Sequence, residues 1–334
     1  MAPATKSASS SKPQSANGVT FPSSPSSSKS ANASSSQSPV LFGYLTLYNV
    51  FSAIGWSLVL YTTLSHLLTA PLPSTSAIPT APKATSYFAR VFSSLPLLKS
   101  AAPSVPPSST IESFVLSKLP FLEPFIRRSH TLYQSAGLLT AVVQTFAVLE
   151  VAHVLLGWVR SAVGTTAIQV ASRLILVWGI AERYEEARTS PFYATMLLSW
   201  SSTEIIRYTF YALSLLSSPT SPVHDRVAIP YWLTYLRYTT FYVLYPTGAG
   251  SEAFCMYATL PKSNPLNSGA WVQKMLWGRW GFEDWVRGLM FVIWWPGLYV
   301  MYTHMMRQRR KVLGSGSGKT IGAAPAVPPK NKNQ

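Results

Sequence analysis

Charged residues are scarce in this sequence, and acidic residues are the scarcest of them. Asp, Glu, Lys and Arg make up 11% of the 334 residues, whereas soluble domains carry about a quarter. Hydrophobic residues make up 48%, and the formal net charge is +16. The 27 basic residues are spread along the chain and do not form the aromatic-interleaved patch that is typical of nucleic-acid binding. The composition therefore favours a basic membrane protein and predicts no nucleic-acid partner.

Cysteine is nearly absent, and this excludes several kinds of chemistry. The single cysteine, Cys255, rules out an intramolecular disulfide framework and gives no indication of a zinc site. A phosphatase loop would need an arginine six positions later, where Pro261 stands. Neither a G-x-S-x-G elbow nor a G-x-x-x-x-G-K-[ST] loop occurs in the sequence, which argues against a serine hydrolase and against a P-loop nucleotide site.

Histidine is sparse and scattered. The five histidines stand far apart at positions 66, 130, 153, 224 and 304, unlike the clustered histidines of membrane desaturases. Glu150 and His153 have the E-x-x-H spacing of di-iron carboxylate bundles, but those sites need a second E-x-x-H and two further glutamates on facing helices. The second copy is missing from this sequence. We therefore predict no metal and no cofactor.

Long apolar runs are what the sequence does have. Six stretches are long enough to cross a bilayer, which takes about 20 residues. They lie near 42–69, 134–158, 164–182, 192–216, 231–258 and 284–305. The sequence thus predicts an all-α polytopic membrane protein, a bundle of about six transmembrane helices.

Both ends of the chain differ in composition from this middle part. Residues 1–39 are rich in Ser, Pro and Ala without an apolar core, so they predict a disordered tail and no cleavable signal peptide. Residues 307–334 are basic and then rich in Gly, Ala and Pro, and we expect them to be disordered as well. The segment between them, 40–306, is the predicted transmembrane domain.

A long Pro- and Ser-rich insert, residues 71–130, separates the first two predicted spans. It contains the piece YFARVFSSLPLLKS, whose aromatic, aliphatic and basic residues suit a helix lying on the membrane surface. A plain long linker fits the composition of the insert equally well. Both interpretations stay open.

The charge distribution predicts the orientation in the membrane. Six spans place both tails on the same side, and the C-terminal tail carries seven Lys or Arg residues and no acid. The positive-inside rule then places both tails in the cytoplasm. The last five residues, KNKNQ, are similar to the dilysine signals that return membrane proteins to the endoplasmic reticulum.

Several ionisable side chains lie inside the predicted spans. Each costs roughly 2.5–3.5 kcal/mol at mid-bilayer, so each needs a partner or a purpose. They are Glu150, His153, Arg173, Glu204, Arg207, Arg237 and Glu252. Glu204 and Arg207 stand three residues apart and can pair on one helical face. Arg173 and Arg237 need acceptors on other helices, for which Glu150 is a candidate. Such groups serve either as clamps between helices or as the polar lining of a pocket.

The stretch LRYTTFYVLYPTGAGSE, residues 236–252, is mostly apolar but carries a phenol and ends on a carboxylate. Tyr245 and Glu252 are seven residues apart, which places them on one helical face about 10.5 Å apart along the axis. A positioned carboxylate can exchange protons near neutral pH, and a phenol can donate a proton. The pair therefore suits a proton removal coupled to protonation of a leaving oxygen. The plainer interpretation, an interfacial tyrosine and a helix-capping glutamate, stays open.

A proline and two glycines stand between these two residues, at Pro246, Gly248 and Gly250. Proline removes a backbone donor, and glycine permits turns that other residues resist. We expect the helix to break here, which would shorten the gap between phenol and carboxylate and free backbone groups for a ligand. Broken helix at membrane depth is tolerated where it is buried or lines a cavity, so the stretch is interpreted as a pocket wall.

Three segments resemble the very-long-chain 3-hydroxyacyl-CoA dehydratases of the endoplasmic reticulum, also called protein-tyrosine-phosphatase-like proteins. They are residues 142–180, 199–213 and 231–252, and they contain the blocks L-x-x-x-H-x-x-x-G-x-V-R-S and L-Y-P-x-G-x-x-x-E. We expect the similarity to extend over about 42–305. The resemblance implies a hydro-lyase that removes water from a 3-hydroxyacyl-CoA to give the trans-2-enoyl-CoA, the third step of fatty-acid elongation.

The resemblance also implies site residues and partners. Tyr245 and Glu252 take the positions of the family's catalytic pair. Glu252 would take the C2 proton and Tyr245 would protonate the leaving hydroxyl, or the two roles are reversed. The expected helix break adds a separate hypothesis, that a freed N–H near Gly248–Gly250 polarises the thioester carbonyl. Expected partners are the acyl-CoA, the lipid bilayer and other elongation enzymes, and the products would feed very-long-chain fatty acids and sphingolipid precursors.

The remaining candidates are pocket-supporting residues: Arg173, Arg207, Arg237, Glu150 and His153. The three arginines would hold polar groups of the pocket or the CoA phosphates, although structural pairing accounts for them equally well. One alternative function is a non-catalytic membrane scaffold of the elongation complex, against which the presence of both Tyr245 and Glu252 argues. A transporter would show inverted internal repeats, and the sequence contains no convincing copy of one half in the other.

Overall fold

Helices form all the regular structure of the described residues. The computed structural model describes residues 38–72, 114–159, 161–218, 227–261 and 280–313, and these all belong to the unit Gln37–Gln334. No strand occurs within these ranges, so the all-α prediction is confirmed. The piece YFARVFSSLPLLKS, the C-terminal KNKNQ and residues 1–37 lie outside the described residues.

The main α-helices of the described ranges are numbered in chain order. They are α1 (Pro39–Thr69), α2 (Glu123–Ser129), α3 (Leu132–Phe146), α4 (Val148–Leu155), α5 (Val163–Leu174), α6 (Glu185–Arg188), α7 (Pro191–Leu216), α8 (Tyr231–Thr239), α9 (Phe241–Ala258) and α10 (Phe282–Leu313). A 3-10 turn, Pro120–Leu122, precedes α2, and a π-helix, Ile175–Ala181, continues α5.

Three helical segments are long and apolar enough to cross a membrane. They are Pro39–Thr69, Leu132–Leu155 and Val163–Ala181, and they coincide with the first three predicted spans. The helices of the last three predicted spans are present, and α7 and α10 are 26 and 32 residues long. Polar and charged side chains lower the mean hydropathy of these helices. The count of six spans therefore stays a prediction.

Two long helices begin with the same local device, a serine followed by a proline. Ser38 and Ser190 are the N-caps of α1 and α7, and each hydroxyl accepts a hydrogen bond from a backbone N–H of the first turn. Pro39 and Pro191 follow at the first helical position, where a missing N–H costs nothing and the fixed φ suits the helix. These starts can be recognised from sequence alone.

The helix α7 lies at the centre of the bundle, packed between α1 and α9. The core on either side of it contains Trp56 from α1, Leu197 and Trp200 from α7, and Met256 from α9, each at most 2% exposed. Burial of one such side chain contributes roughly 1.5–3 kcal/mol. This packing fixes the relative positions of α7 and α9, which carry the candidate site.

The predicted fifth span, 231–258, consists of two helices, α8 and α9, that meet at Thr240. α9 then runs without interruption through Pro246, Gly248 and Gly250, so the break expected there is wrong. A proline removes one hydrogen bond, to the carbonyl four residues before it. Helices at membrane depth tolerate this loss when neighbouring groups and small local adjustments compensate for it.

The other differences lie at the boundaries of predicted segments. α10 continues to Leu313, seven residues beyond the predicted domain end at 306. The basic residues there are good helix formers and are favoured near a helix C-terminus. Part of the 71–130 insert is also helical: α2 packs on the end of α1, where Arg128 donates to the carbonyls of Leu67 and Ala70 at 3.0 and 2.7 Å.

Candidate active site

A row of small residues brings α9 directly against α7. Gly248 is buried, and a Cβ at this position would lie 3.3 Å from the Cβ of Ser199. Hydroxyl groups pair across the same interface, Ser199 with Thr247 at 3.0 Å and Thr195 with Ser251 at 2.6 Å. Small residues permit such close approach of membrane helices, and hydroxyls hydrogen-bond across them.

This packing changes the expected role of Gly248. Because α9 is continuous, the N–H of Gly248 lies within the helical hydrogen-bond pattern. The prediction that a freed N–H in this region polarises a thioester is therefore wrong. Gly248 instead allows the close contact that positions the following turns of α9 against α7.

The Glu252 carboxylate is held by two indoles from two other helices. Trp200 of α7 donates its Nε1–H to Oε1 at 2.6 Å, and Trp294 of α10 donates its Nε1–H to Oε2 at 3.1 Å. Each carboxylate oxygen thus accepts one N–H, and the two bonds together fix the plane of the group. The sequence analysis did not predict either tryptophan as a site residue, because a tryptophan inside an apolar run is usually interpreted as a packing residue.

Tyr245 lies on the same helix as Glu252, two turns earlier. The unbroken helix keeps their separation along the axis at about 10.5 Å, so the expected shortening of this gap does not occur. Tyr245 is half-buried, and no other described side chain hydrogen-bonds to its hydroxyl. The phenol is therefore free to donate to a ligand placed between it and Glu252.

Arg173 connects this carboxylate to a larger set of charges. Its guanidinium lies over the ring of Trp200, 5.0 Å from the centroid, and it forms an ion pair with Glu204 of α7. Trp200 therefore contacts the candidate site with its N–H and a partly buried cation with its ring face. The acceptor that the sequence requires for Arg173 on another helix is Glu204, not Glu150.

A network of four charges and a phenol spans three helices behind the site. Arg207 donates to Glu204 at 2.6 Å, as their spacing predicts, and forms a two-point contact with Glu150 at 2.7 and 2.9 Å. Tyr208 also donates to Glu150. The two carboxylates are balanced by the two guanidinium groups, those of Arg173 and Arg207, and the ion pairs connect α4, α5 and α7 as clamps.

Two candidates from the sequence lie apart from Glu252. His153 does not pair with Glu150; its Nε2 is 2.9 Å from the Tyr44 hydroxyl and its ring stacks on Trp158. Arg237 donates to the hydroxyl of Tyr211 at 3.2 Å and lies over the same ring. Neither contact reaches the carboxylate that the two indoles hold.

The glycine of the L-x-x-x-H-x-x-x-G block ends α4. Gly157 has a φ of +72°; its N–H donates to the Val154 carbonyl at 3.1 Å, and the next N–H, of Trp158, donates to the His153 carbonyl at 2.9 Å. This pair of bonds is the Schellman motif, which needs a residue with positive φ after the helix. The spacing from His153 to Gly157 is therefore explained by helix termination.

An apolar groove of about 840 Å³ lies elsewhere on the bundle, between α3, α4 and the π-helix. Its lining residues are Leu138, Val142, Thr145, Phe146, Val148, Leu149, Leu174, Ile175, Trp178 and Gly179. No residue of α9 takes part in it. The pocket wall expected around Tyr245 and Glu252 thus does not coincide with this groove.

Comparison with known proteins finds one family and a consistent group of relatives. Residues 144–315 match the family described as protein tyrosine phosphatase-like protein, PTPLA. The very-long-chain (3R)-3-hydroxyacyl-CoA dehydratase hpo-8 of Caenorhabditis elegans is 42% identical over 199 residues, covering 56% of this chain and 82% of that protein. The human very-long-chain (3R)-3-hydroxyacyl-CoA dehydratase 2 is 34% identical over 187 residues, covering 55% and 68%.

A third relative, the probable very-long-chain (3R)-3-hydroxyacyl-CoA dehydratase of Schizosaccharomyces pombe, is 42% identical over 182 residues, covering 54% of this chain and 76% of that protein. No solved structure matches the chain. The family match begins at residue 144 rather than near 42, so α1 lies outside it. It ends at 315 and therefore includes the whole of α10.

Proposed function

The chain belongs to the protein tyrosine phosphatase-like (PTPLA) family, and from this premise we propose that it dehydrates very-long-chain (3R)-3-hydroxyacyl-CoA to the trans-2-enoyl-CoA. Relatives with this activity in their names align with about half of the chain and with most of their own length. The structural observation that carries the proposal is the Glu252 carboxylate, held by two N–H donors, with the unengaged Tyr245 phenol on the same helix.

The elimination needs a base at C2 and an acid at the C3 hydroxyl. Glu252 is the base in this proposal: its two oxygens accept the indole N–H groups, and a remaining lone pair accepts the C2 proton. Tyr245 is the acid, since its hydroxyl has a proton to give. The electrons of the C2–H bond form the C2=C3 double bond, the C3–O bond breaks, and the hydroxyl leaves as water with the phenol proton. Water then carries the proton from Glu252 back to the phenolate before the next turnover, which restores both groups.

The charged network supports this site without taking part in the chemistry. Arg173 lies over the ring of Trp200, and Glu204, Arg207 and Glu150 complete the ion pairs between α4, α5 and α7. Arg173 and Arg207 each have a carboxylate partner within the bundle, and Arg237 contacts Tyr211. We therefore propose that the ion pairs of Arg173 and Arg207 align the helices and do not bind the CoA phosphates.

We further propose six spans in the endoplasmic-reticulum membrane, with both tails in the cytoplasm and other elongation enzymes as partners. In this orientation α9 runs inward from the cytoplasmic side, and Glu252 lies deeper than Tyr245. The acyl chain would then thread between the helices while the CoA group stays at the cytoplasmic surface. This arrangement suits a substrate that is apolar at one end and highly charged at the other.

The test of the proposed function is direct. Purified wild-type protein in detergent or liposomes is incubated with a long-chain (3R)-3-hydroxyacyl-CoA, and formation of the trans-2-enoyl-CoA is followed by chromatography. We expect turnover without any added cofactor. An inactive preparation, under conditions in which a known dehydratase of this family works, would instead favour a scaffold of the elongation complex.

A further inference from the structure

Two tryptophans have contacts that packing alone does not require. Trp200 and Trp294 come from different helices, α7 and α10, yet both indole N–H groups point to one side chain, Glu252. They take one carboxylate oxygen each, at 2.6 and 3.1 Å. The position of the carboxylate is thereby set by three helices at once, its own α9 and the two that carry the indoles.

The chemistry of indole suits this arrangement. An indole N–H is a donor with no acceptor capacity and no accessible charge change. It therefore holds an ionised carboxylate without competing for the proton that the carboxylate takes up. Hydrogen bonds to an ionised group are stronger than those between neutral groups, and two of them from fixed directions restrict both the plane and the rotation of the carboxylate.

Both indoles are themselves held in place. Trp200 is 2% exposed, with Arg173 over its ring face and the ring of Trp56 at its edge, 6.4 Å between centroids. Trp294 is half-buried and packs against the core from α10. Neither ring can turn away from Glu252 without losing these contacts, so the two N–H groups are preorganised for the carboxylate.

We propose that Trp200 and Trp294 are positioning residues for the dehydration, acting by holding the Glu252 carboxylate in the orientation in which it takes the C2 proton. This inference rests on the proposed function. It concerns orientation of the base and not binding of the acyl-CoA, so it predicts an effect on turnover rather than on substrate affinity.

The test uses substitutions that remove the N–H and keep an aromatic ring. Trp294→Phe is expected to lower kcat by about tenfold to a hundredfold and to leave KM within about twofold, because one hydrogen bond to a charged group is lost. Trp200→Phe is expected to do the same, and Trp294→His, which restores a ring N–H, to recover part of the lost kcat. Abundance and thermal unfolding of each variant in detergent are measured alongside.

The neighbouring Trp295 provides the matched control. It lies on the same helix, is 41% exposed, and contacts Phe254 and Phe291 instead of Glu252, so Trp295→Phe should keep wild-type kcat. Unchanged kcat in both Trp200→Phe and Trp294→Phe would overturn the inference, as would an equal fall in Trp295→Phe or a change confined to KM. Those results require an active wild type, whereas failure of the proposed function would leave the wild type itself inactive.

Discussion

At the residue scale, the buried charges of this bundle divide into two groups with different tasks. Glu252 accepts hydrogen bonds from neutral indoles and has no arginine bonded to it among the described residues. Glu204 and Glu150 are each paired with arginines. A carboxylate that is fully neutralised by guanidinium groups is a poor proton acceptor, whereas one held by N–H dipoles keeps its basicity better. This difference supports the proposal that Glu252 is the chemical group.

The structural task of the paired charges leads to a stability prediction. Replacing Glu150 by Ala leaves the partly buried Arg207 without its two-point contact and Tyr208 without an acceptor. We expect a loss of about 3–5 kcal/mol in the free energy of unfolding, which is typical of breaking a buried ion pair. The measurement is an unfolding titration with SDS in mixed micelles.

A surface pair serves as the control for this prediction. Glu123 lies 3.6 Å from Arg127 on α2, with more than half of its side chain exposed. Glu123→Ala should cost less than about 1 kcal/mol. Equal losses for Glu150→Ala and Glu123→Ala would contradict the assignment of Glu150 as a clamp between helices.

At the scale of elements, the contact between α7 and α9 determines the site. The two helices approach closely because Gly248 faces Ser199, and this closeness brings Trp200 to Glu252 one turn later. At Gly250, only two residues away, an added Cβ would have no neighbouring atom within 4 Å. The two glycines look equivalent in the sequence, and their difference becomes visible only when α7 is in place.

The two glycines therefore offer a paired prediction. Gly248→Leu should push α9 away from α7, cost roughly 1–3 kcal/mol of stability through overpacking, and abolish most activity because Glu252 moves away from Trp200. Gly250→Leu should keep both stability and activity near wild-type values. Thermal unfolding in detergent and the dehydration assay measure these outcomes, and similar losses at both positions would show that α9 is oriented differently.

A second prediction at this scale concerns the end of α4. Gly157 has a φ of +72°, where a Cβ is strained, so Gly157→Ala should destabilise by about 1–2 kcal/mol. Gly164 in α5 is the control, because a Cβ added there would have no neighbouring atom within 4 Å. Gly164→Ala should therefore be neutral or slightly stabilising. A neutral Gly157→Ala in the same SDS titration would contradict the Schellman motif.

Some elements could be predicted from sequence because local physics alone determines them. The Ser-Pro starts at Ser38 and Ser190 and the pairing of Glu204 with Arg207 depend on neighbours within one or two turns. The continuity of α9 through Pro246 could not be predicted, because the cost of a lost backbone hydrogen bond is offset by packing against other helices.

At the scale of the whole molecule, the site depends on segments far apart in the chain. Trp200, Glu252 and Trp294 are separated by 52 and 42 residues, and no sequence period links them. Phenol and carboxylate could be recognised because their spacing within one helix is local. The indoles could not, since their role follows from how three helices pack. Arg173 illustrates the same limit: its partner, Glu204, follows from tertiary structure.

The proposed topology is testable at this scale. If six spans cross the membrane with both tails in the cytoplasm, epitope tags at either end should be accessible to antibody after selective permeabilisation of the plasma membrane. A tag in the segment between α1 and α2 should be accessible only after the endoplasmic-reticulum membrane is opened. Opposite accessibility of the two tails would require an odd number of spans.

The measurement that tests the central claim most directly is dehydration of a long-chain (3R)-3-hydroxyacyl-CoA by wild type, Glu252→Gln and Tyr245→Phe at matched protein levels. Glu150→Gln is added as a partly buried, arginine-paired carboxylate outside the proposed chemistry. We expect Glu252→Gln and Tyr245→Phe each to lose at least about a hundredfold in kcat, since each removes one acid or base role, and Glu150→Gln to lose far less per folded molecule. Wild-type turnover in either Glu252→Gln or Tyr245→Phe would contradict the account.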